Sequence, residues 1–379
     1  MSQPTAPFFI VGNERSGTTL LMVMLGQHPR IAVPEVTWYY TRFRAYLHTY
    51  GDLSKPANFR TLVAEMIFGL KTPFHGLPLN PATIVDELIA QTTAPTFPEA
   101  VRVIIETYAR ATHKPRWGEK TPHHLFYVRE ILADFPGAKI INLVRDGRDI
   151  AVEQLRSAFG PRNIYSAAKI WKRSQREATR LRGLLPADTW LDVRYEELVA
   201  EPERVLRDVT AFLGEAYDPA LLDFHKGEIA SRRGRTRDHR PLGEPVSTNY
   251  TGIYKEHLSL HEQAVYATVA GEELLAAGYP VEVKPAVITS ADIALWEELD
   301  QRIRAATLDA PEGHIVYESY NDWLADQREE RRKRGVWTPA ADAAPFDWDA
   351  QFISGQRAPT YWKNRFAIAR RYTAEGLVL

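Results

Sequence analysis

Phe8-Phe9-Ile10-Val11 is an unbroken apolar run, and behind it Gly12 to Thr19 is dense in small and polar residues before Leu20, Leu21, Met24 and Leu25 recur at helical spacing. The pattern predicts a buried strand, a glycine-bounded loop and a helix. Lys139 to Val144 repeats the outline, passing through Arg145-Asp146-Gly147-Arg148-Asp149 into a helical pattern with Ile150, Val152 and Leu155. Trp190 to Val193 predicts a third strand, and Val205, Leu206, Val209, Phe212 and Leu213 form one helix face that Gly214 terminates. Ser259 with Glu262 three residues on makes a capping box for a helix that Gly278 and Pro280 close. Strands alternating with helices predict an α/β fold: a central parallel sheet flanked by helices in three layers, with ligands at the carboxyl ends of its strands.

After about Pro285 the texture changes. Five of the nine tryptophans (Trp296, Trp323, Trp337, Trp348 and Trp362) fall in the last quarter, beside the charged run Arg328 to Arg334. Residues 1–285 therefore read as the main domain and 286–379 as a mostly helical extension, a solvated helix face with aromatic residues packing onto that domain. The 379 residues carry 47 basic and 48 acidic side chains, a net charge of −1, so no global field marks a nucleic-acid binder and any phosphate recognition is local. With no cysteine, disulfides, thiol nucleophiles and cysteine-ligated metals are excluded. Met1 to Pro7 has no signal-peptide pattern and no apolar run approaches the ~20 residues of a membrane span, which predicts a cytoplasmic protein.

Gly12 to Thr19 has the glycine spacing of a P-loop, but Thr18 stands where the phosphate-binding lysine of a nucleoside triphosphatase belongs. The cation inside the loop is Arg15. Backbone N–H groups at the helix start, the hydroxyls of Ser16, Thr18 and Thr19, and the Arg15 guanidinium would converge on one phosphate-sized anion, without magnesium. An ordinary strand-to-helix turn rarely combines a buried strand with so many such residues.

The loop Phe9 to Leu21 resembles the 5′-phosphosulfate loop of sulfotransferases that use 3′-phosphoadenosine 5′-phosphosulfate, especially the bacterial and tyrosylprotein enzymes. Further segments match in the family's order: Gly118-Glu119-Lys120-Thr121-Pro122, Val144-Arg145-Asp146-Gly147-Arg148-Asp149, Arg194-Tyr195-Glu196-Glu197-Leu198-Val199, and Gly252-Ile253-Tyr254-Lys255. The resemblance covers roughly residues 7 to 282 and leaves the tail aside.

Carried over residue by residue, it implies that Arg15, Ser16, Gly17, Thr18 and Thr19 grip the phosphosulfate and that Arg145 contacts the 3′-phosphate; the plainer alternative for Arg145 is an ion pair with Asp146 or Asp149. Tyr195 matches a tyrosine near the adenine nucleotide, or else packs in the core. Arg232-Arg233-Gly234 is similar to a 3′-phosphate segment that in cytosolic enzymes is followed almost at once by a lysine; here Lys255 comes much later, after Arg235, Arg237 and Arg240, which suggest a basic flap. Glu35 matches the catalytic base, although the tyrosylprotein enzymes carry two glutamates and use the second, where this chain has Val36; its plainer reading is a loop carboxylate paired with Arg42 or Arg44. Lys120 matches the lysine at the leaving group, and His123 or His124 is the alternative base. One departure stands out: eight residues after Arg145, where the family has a serine on the 3′-phosphate, this chain has Glu153. Either Glu153 turns away and Ser157 or Gln154 substitutes, or the donor is held weakly.

The implied activity is transfer of a sulfuryl group to a hydroxyl or amine on a small-molecule, glycan or lipid acceptor that no motif identifies, with 3′-phosphoadenosine 5′-phosphosulfate as donor. A P-loop kinase or triphosphatase would need the missing lysine. A non-catalytic nucleotide-binding protein with a degenerate 3′-phosphate site would bind without turnover.

Overall fold

All five residues of β1 (Phe8–Gly12) are buried, and strand alternation sends them to opposite faces of the sheet. Phe8 and Ile10 pack with the helix α1 (Thr18–Leu25), while Phe9 and Val11 join a cluster with Tyr39, Tyr40 and Trp117. This is why the run is continuous rather than alternating: both faces are covered. The computed structural model describes residues 6–68, 80, 83–157, 160–161, 163–235, 241–308 and 315–337, with 68, 300–308 and 315–322 described as backbone.

The other strands are β2 (Ile31–Ala32), β3 (Arg116–Lys120), β4 (Lys139–Val144) and β5 (Trp190–Arg194). They lie in the order β2-β3-β1-β4-β5, and every pairing is parallel. Register brings the carboxyl ends together: Ile10 pairs with Lys120, Gly12 with Leu143, and Val144 with Arg194. The principal helices after α1 are α2 (Pro56–Phe68), α3 (Phe97–Ala111), α4 (Gly147–Arg156), α5 (Ile164–Arg182), α6 (Pro202–Leu213), α7 (Glu228–Arg233), α8 (Leu260–Ala276), α9 (Ser290–Leu308) and α10 (Ile315–Lys333). The α/β expectation is met, with β1, β4, β5 and the helices behind them where the hydrophobic pattern puts them. Gly214 ends α6 at φ 74°, and Ser259 and Glu262 form the full capping box of α8.

The apolar pattern did not show β3, which reads Arg-Trp-Gly-Glu-Lys yet is buried throughout. Its polar groups have internal partners: Arg116 donates to the carbonyls of Leu213 and Ala6, and Glu119 accepts from Thr37 and Thr121. Gly118 lies under the Phe8 ring, which a Cβ there would meet at 2.3 Å.

α10 is only partly a solvated face. Trp323 and Leu324 enter the cluster that holds Phe9, and Arg331, 3% exposed, pairs with Glu65 of α2 at 2.5 Å and donates to Thr49 O. Arg328 lies over the Tyr46 ring at 3.6 Å and donates to Arg42 O. Arg332 and Lys333 face outward, paired with Glu329 and Glu330. Trp348 and Trp362 fall outside the described residues. Among the described residues no helix is long and apolar enough to cross a membrane.

Candidate active site

The loop after β1 folds as its residues require. Gly12 adopts φ 147° and Gly17 φ 97°, and Ser16 turns its hydroxyl back onto Asn13 O at 2.7 Å. The Ser16 hydroxyl thus closes the loop. α1 then begins at Thr18, with its first N–H groups at the mouth of the loop.

Arg145 follows β4 directly and is 4% exposed. Its guanidinium stacks 4.4 Å from the Tyr195 ring and donates to Arg15 O at 2.8 Å and to Tyr250 O at 2.7 Å. The ion pair with a neighbouring aspartate is made by Arg148 instead, to Asp146 at 2.7 Å. Tyr195, at the end of β5, presses on the loop so closely that a Cβ on Gly17 would lie 2.5 Å from its ring. Arg145 and Tyr195 therefore fix the backbone of the phosphate loop. Asp149 accepts from the N–H groups of Gly252 and Tyr254, which anchors the segment carrying Tyr250.

Lys120 closes β3 and reaches the loop, its Nζ 3.3 Å from Thr19 Oγ1. Burial, and after it the charge of Arg233, pushes this ammonium down to about 8, against the opposing pull of Glu119, Glu35 and Glu14. Glu14, which the sequence reading passed over, sits between Asn13 and Arg15 with its side chain 15% exposed, and burial raises its carboxyl to about 8 although Arg15 and Lys120 oppose this. The signal was a carboxylate inside an anion-binding loop.

The histidines divide. His124 is fully buried, its Nδ1 2.8 Å from Glu119, while its Nε2 accepts the N–H of Tyr40. His124 thereby ties Glu119 of β3 to the segment after β2 that carries Tyr40. Burial disfavours the charge of Glu119, but His124, Thr121 and Thr37 hold its carboxyl below the usual range. His123 stacks on Trp38, ring centroids 5.3 Å apart, with Nδ1 3.6 Å from Glu14 Oε1. Asn13, Glu14, His123, Gln154 and Pro161 line a small hollow that opens to solvent, and the buried Gln154 Oε1 has no hydrogen-bond partner among the described residues.

Glu35, 4% exposed, is held by two guanidiniums of α7: Arg232 at 2.8 Å and Arg233. Neither Arg42 nor Arg44 is that partner; Arg44 pairs with Asp134. Arg232 is thus engaged with Glu35, and Lys255 is turned outward, 60% exposed and 3.8 Å from Glu282. Arg237 and Arg240 lie outside the described residues. Glu153 turns to the loop and pairs with Arg15 at 2.6 Å, and Ser157 donates its hydroxyl to Gln154 O. Of the candidates, the structure brings Arg15, Ser16, Gly17, Thr18, Thr19, Lys120, Arg145 and Tyr195 together at one sheet edge, with Glu35 and His123 beside them.

Known proteins similar to this chain include the following. The chain is 24% identical over 231 residues to an uncharacterized protein of Aquifex aeolicus, covering 58% of this chain and 27% of that one. It is 27% identical over 231 residues to protein-tyrosine sulfotransferase 1 of Danio rerio, covering 60% of this chain and 57% of the other. The chain therefore spans from about a quarter to under three fifths of the length of these relatives. Among solved structures, the sulfotransferase domain of a Synechococcus olefin synthase superposes with a TM-score of 0.45 at 22% identity, covering 79% of this chain and 96% of that one. The family model described as the sulfotransferase family matches residues 7–219, more than half of the sequence and all five strands. The chain belongs to the sulfotransferase family.

Proposed function

We propose that this protein transfers a sulfuryl group from 3′-phosphoadenosine 5′-phosphosulfate to a hydroxyl or amine acceptor by in-line displacement. The observation that carries the reading is the meeting of two cations from separate parts of the chain at one loop: Arg15 within it and Lys120 from the end of β3, 3.3 Å from Thr19. In this reading the acceptor atom bonds to sulfur while the bond from sulfur to the bridging oxygen breaks, and the electron pair stays on the 5′-phosphate of the nucleotide. Lys120 offsets the charge that develops on that oxygen. The N-terminus of α1 and Arg15 hold the phosphosulfate. Arg145 and Tyr195 keep the loop in its binding shape.

Glu35 is the base in this reading, receiving the acceptor's proton. Its two arginines each bond one carboxylate oxygen, and one of them must yield for the carboxylate to accept a proton. A specific observation favours His123 as second candidate: it stands on Trp38 beside Glu14, outside that clamp. The acceptor class that fits is a small molecule, glycan or lipid; the name of the Danio rerio relative adds protein tyrosine. A cytoplasmic location belongs to this reading.

Calorimetric titration tests the donor site without an acceptor. Adenosine 3′,5′-bisphosphate, the expected product, should bind in preference to ATP with magnesium, and Arg15→Ala should abolish that binding. Preference for magnesium ATP would overturn the reading. Glu35→Gln should leave bisphosphate binding intact and remove turnover, whereas a fully active Glu35→Gln protein transfers the base role to His123.

A further inference from the structure

Arg15 is the cation that the loop after β1 presents to an anion, held at φ 67° in the left-handed region that non-glycine residues rarely adopt. An anion is already there. Glu153 Oε2 lies 2.6 Å from Arg15 Nη2, and the two side chains are only 13% and 18% exposed. Glu153 comes from the last turn of α4, where the helix presents its carbonyl end and an ionised carboxylate is unfavourable. Arg15 is the cation that faces it there. Arg145 cannot substitute, because its Nη atoms already bond the carbonyls of Arg15 and Tyr250. A ligand that takes Arg15 must displace this carboxylate and leave it at the helix end.

We propose that Glu153 is a specificity-determining residue of the donor site: its carboxylate competes with the donor's 5′-phosphosulfate for the Arg15 guanidinium. The proposal rests on the donor-site reading above. The pair sets a threshold, and the ligand class that passes it is a nucleotide with a strongly charged 5′-terminal phosphate or phosphosulfate. Singly charged anions such as carboxylates offer Arg15 nothing that Glu153 does not.

The test is calorimetric titration of the wild-type protein, Glu153→Gln and Glu153→Ser with adenosine 3′,5′-bisphosphate and with adenosine 5′-monophosphate, alongside thermal unfolding of each. Glutamine keeps the shape and removes the charge; serine removes both. Both nucleotides should bind both variants about fivefold to tenfold more tightly than the wild type, since the competition is at the 5′ end that they share. Binding detected only in the variants is the same result. Unchanged or weaker affinity in folded variants overturns the proposal. So does a gain confined to the bisphosphate, which would place Glu153 against the 3′-phosphate instead. Failure of both nucleotides to bind any of the three proteins, with magnesium ATP bound in their place or with no nucleotide bound, overturns the donor-site reading itself and this proposal with it.

Discussion

Gly17 combines a backbone angle of φ 97° with a ring where its side chain would be, Tyr195 at 2.5 Å. Gly17→Ala cannot relax without moving Tyr195 off Arg145, and Arg145 holds the loop through Arg15 O. The substitution should cost about 1–3 kcal/mol of stability and weaken bisphosphate binding at least about tenfold; calorimetry and thermal unfolding measure both, and unchanged affinity would show that the loop does not need this turn. Two titrating groups set the pH behaviour of the same site. Glu14 is neutral below about 8 and Lys120 charged below about 8, so raising pH through that value adds one negative charge and removes one positive charge beside the anion. Bisphosphate affinity should fall between pH 7 and pH 9, by about tenfold, and Glu14→Gln should retain part of the loss. A flat profile would refute the assignment. Their effects on folding have opposite signs. Glu14 holds a proton in the folded state that the unfolded chain releases at about 4.5, so stability declines as pH rises from 4.5 towards 8; Lys120 releases its proton earlier when folded, so stability rises with pH between about 8 and 10.5.

At the scale of elements, β1 and β4 are legible because a strand covered on both faces must be apolar along its whole length, and α8 because its cap is written in Ser259 and Glu262. β3 is not legible, because its polar side chains find partners far away in the chain: Glu119 with Thr37, Arg116 with Leu213 O. The site divides in the same way. The glycine loop and Arg145 lie at the ends of β1 and β4, where local pattern locates them, whereas Lys120 at the end of β3 is reached only through the family resemblance. The partners of Glu35 come from α7, nearly two hundred residues on, and only the fold brings them near. That contact has a consequence across elements, since after burial the charge of Arg233 is what holds Lys120 down. Arg233→Ala removes the repulsion, so the Lys120 ammonium should persist to higher pH. The alkaline loss of bisphosphate affinity should move upward in this variant, while Arg235→Ala leaves it in place; a profile identical to the wild type would mean that α7 does not act on β3.

The molecule as a whole is nearly neutral, with 47 basic against 48 acidic residues, yet the carboxyl edge of its sheet gathers Arg15, Lys120, Arg145, Arg232 and Arg233. Holding that edge in shape involves chain well beyond residue 285. α10 lays Trp323 and Leu324 into the cluster that contains Phe9 and Tyr39, and Arg331 meets Glu65, whose carboxylate also accepts the Tyr50 hydroxyl. Both Glu65 and Arg331 are nearly inaccessible to water. Deleting α10 leaves that carboxylate in an apolar setting without its cation, a defect of about 3–5 kcal/mol, and exposes apolar surface of the Tyr50 region besides. At roughly 2 °C per kcal/mol or less for a chain of this size, residues 1–285 should unfold about 5–10 °C below the full chain. Arg331→Met alone should show part of the loss, and adding Glu65→Gln should recover most of it by removing the unpaired charge. A truncated protein that melts with the full chain would show that α10 adds nothing to the stability of the sheet. The predicted drop instead makes the tail a structural part of the domain that presents the site, since the cluster beneath Phe9 also supports the strand from which the phosphate loop departs.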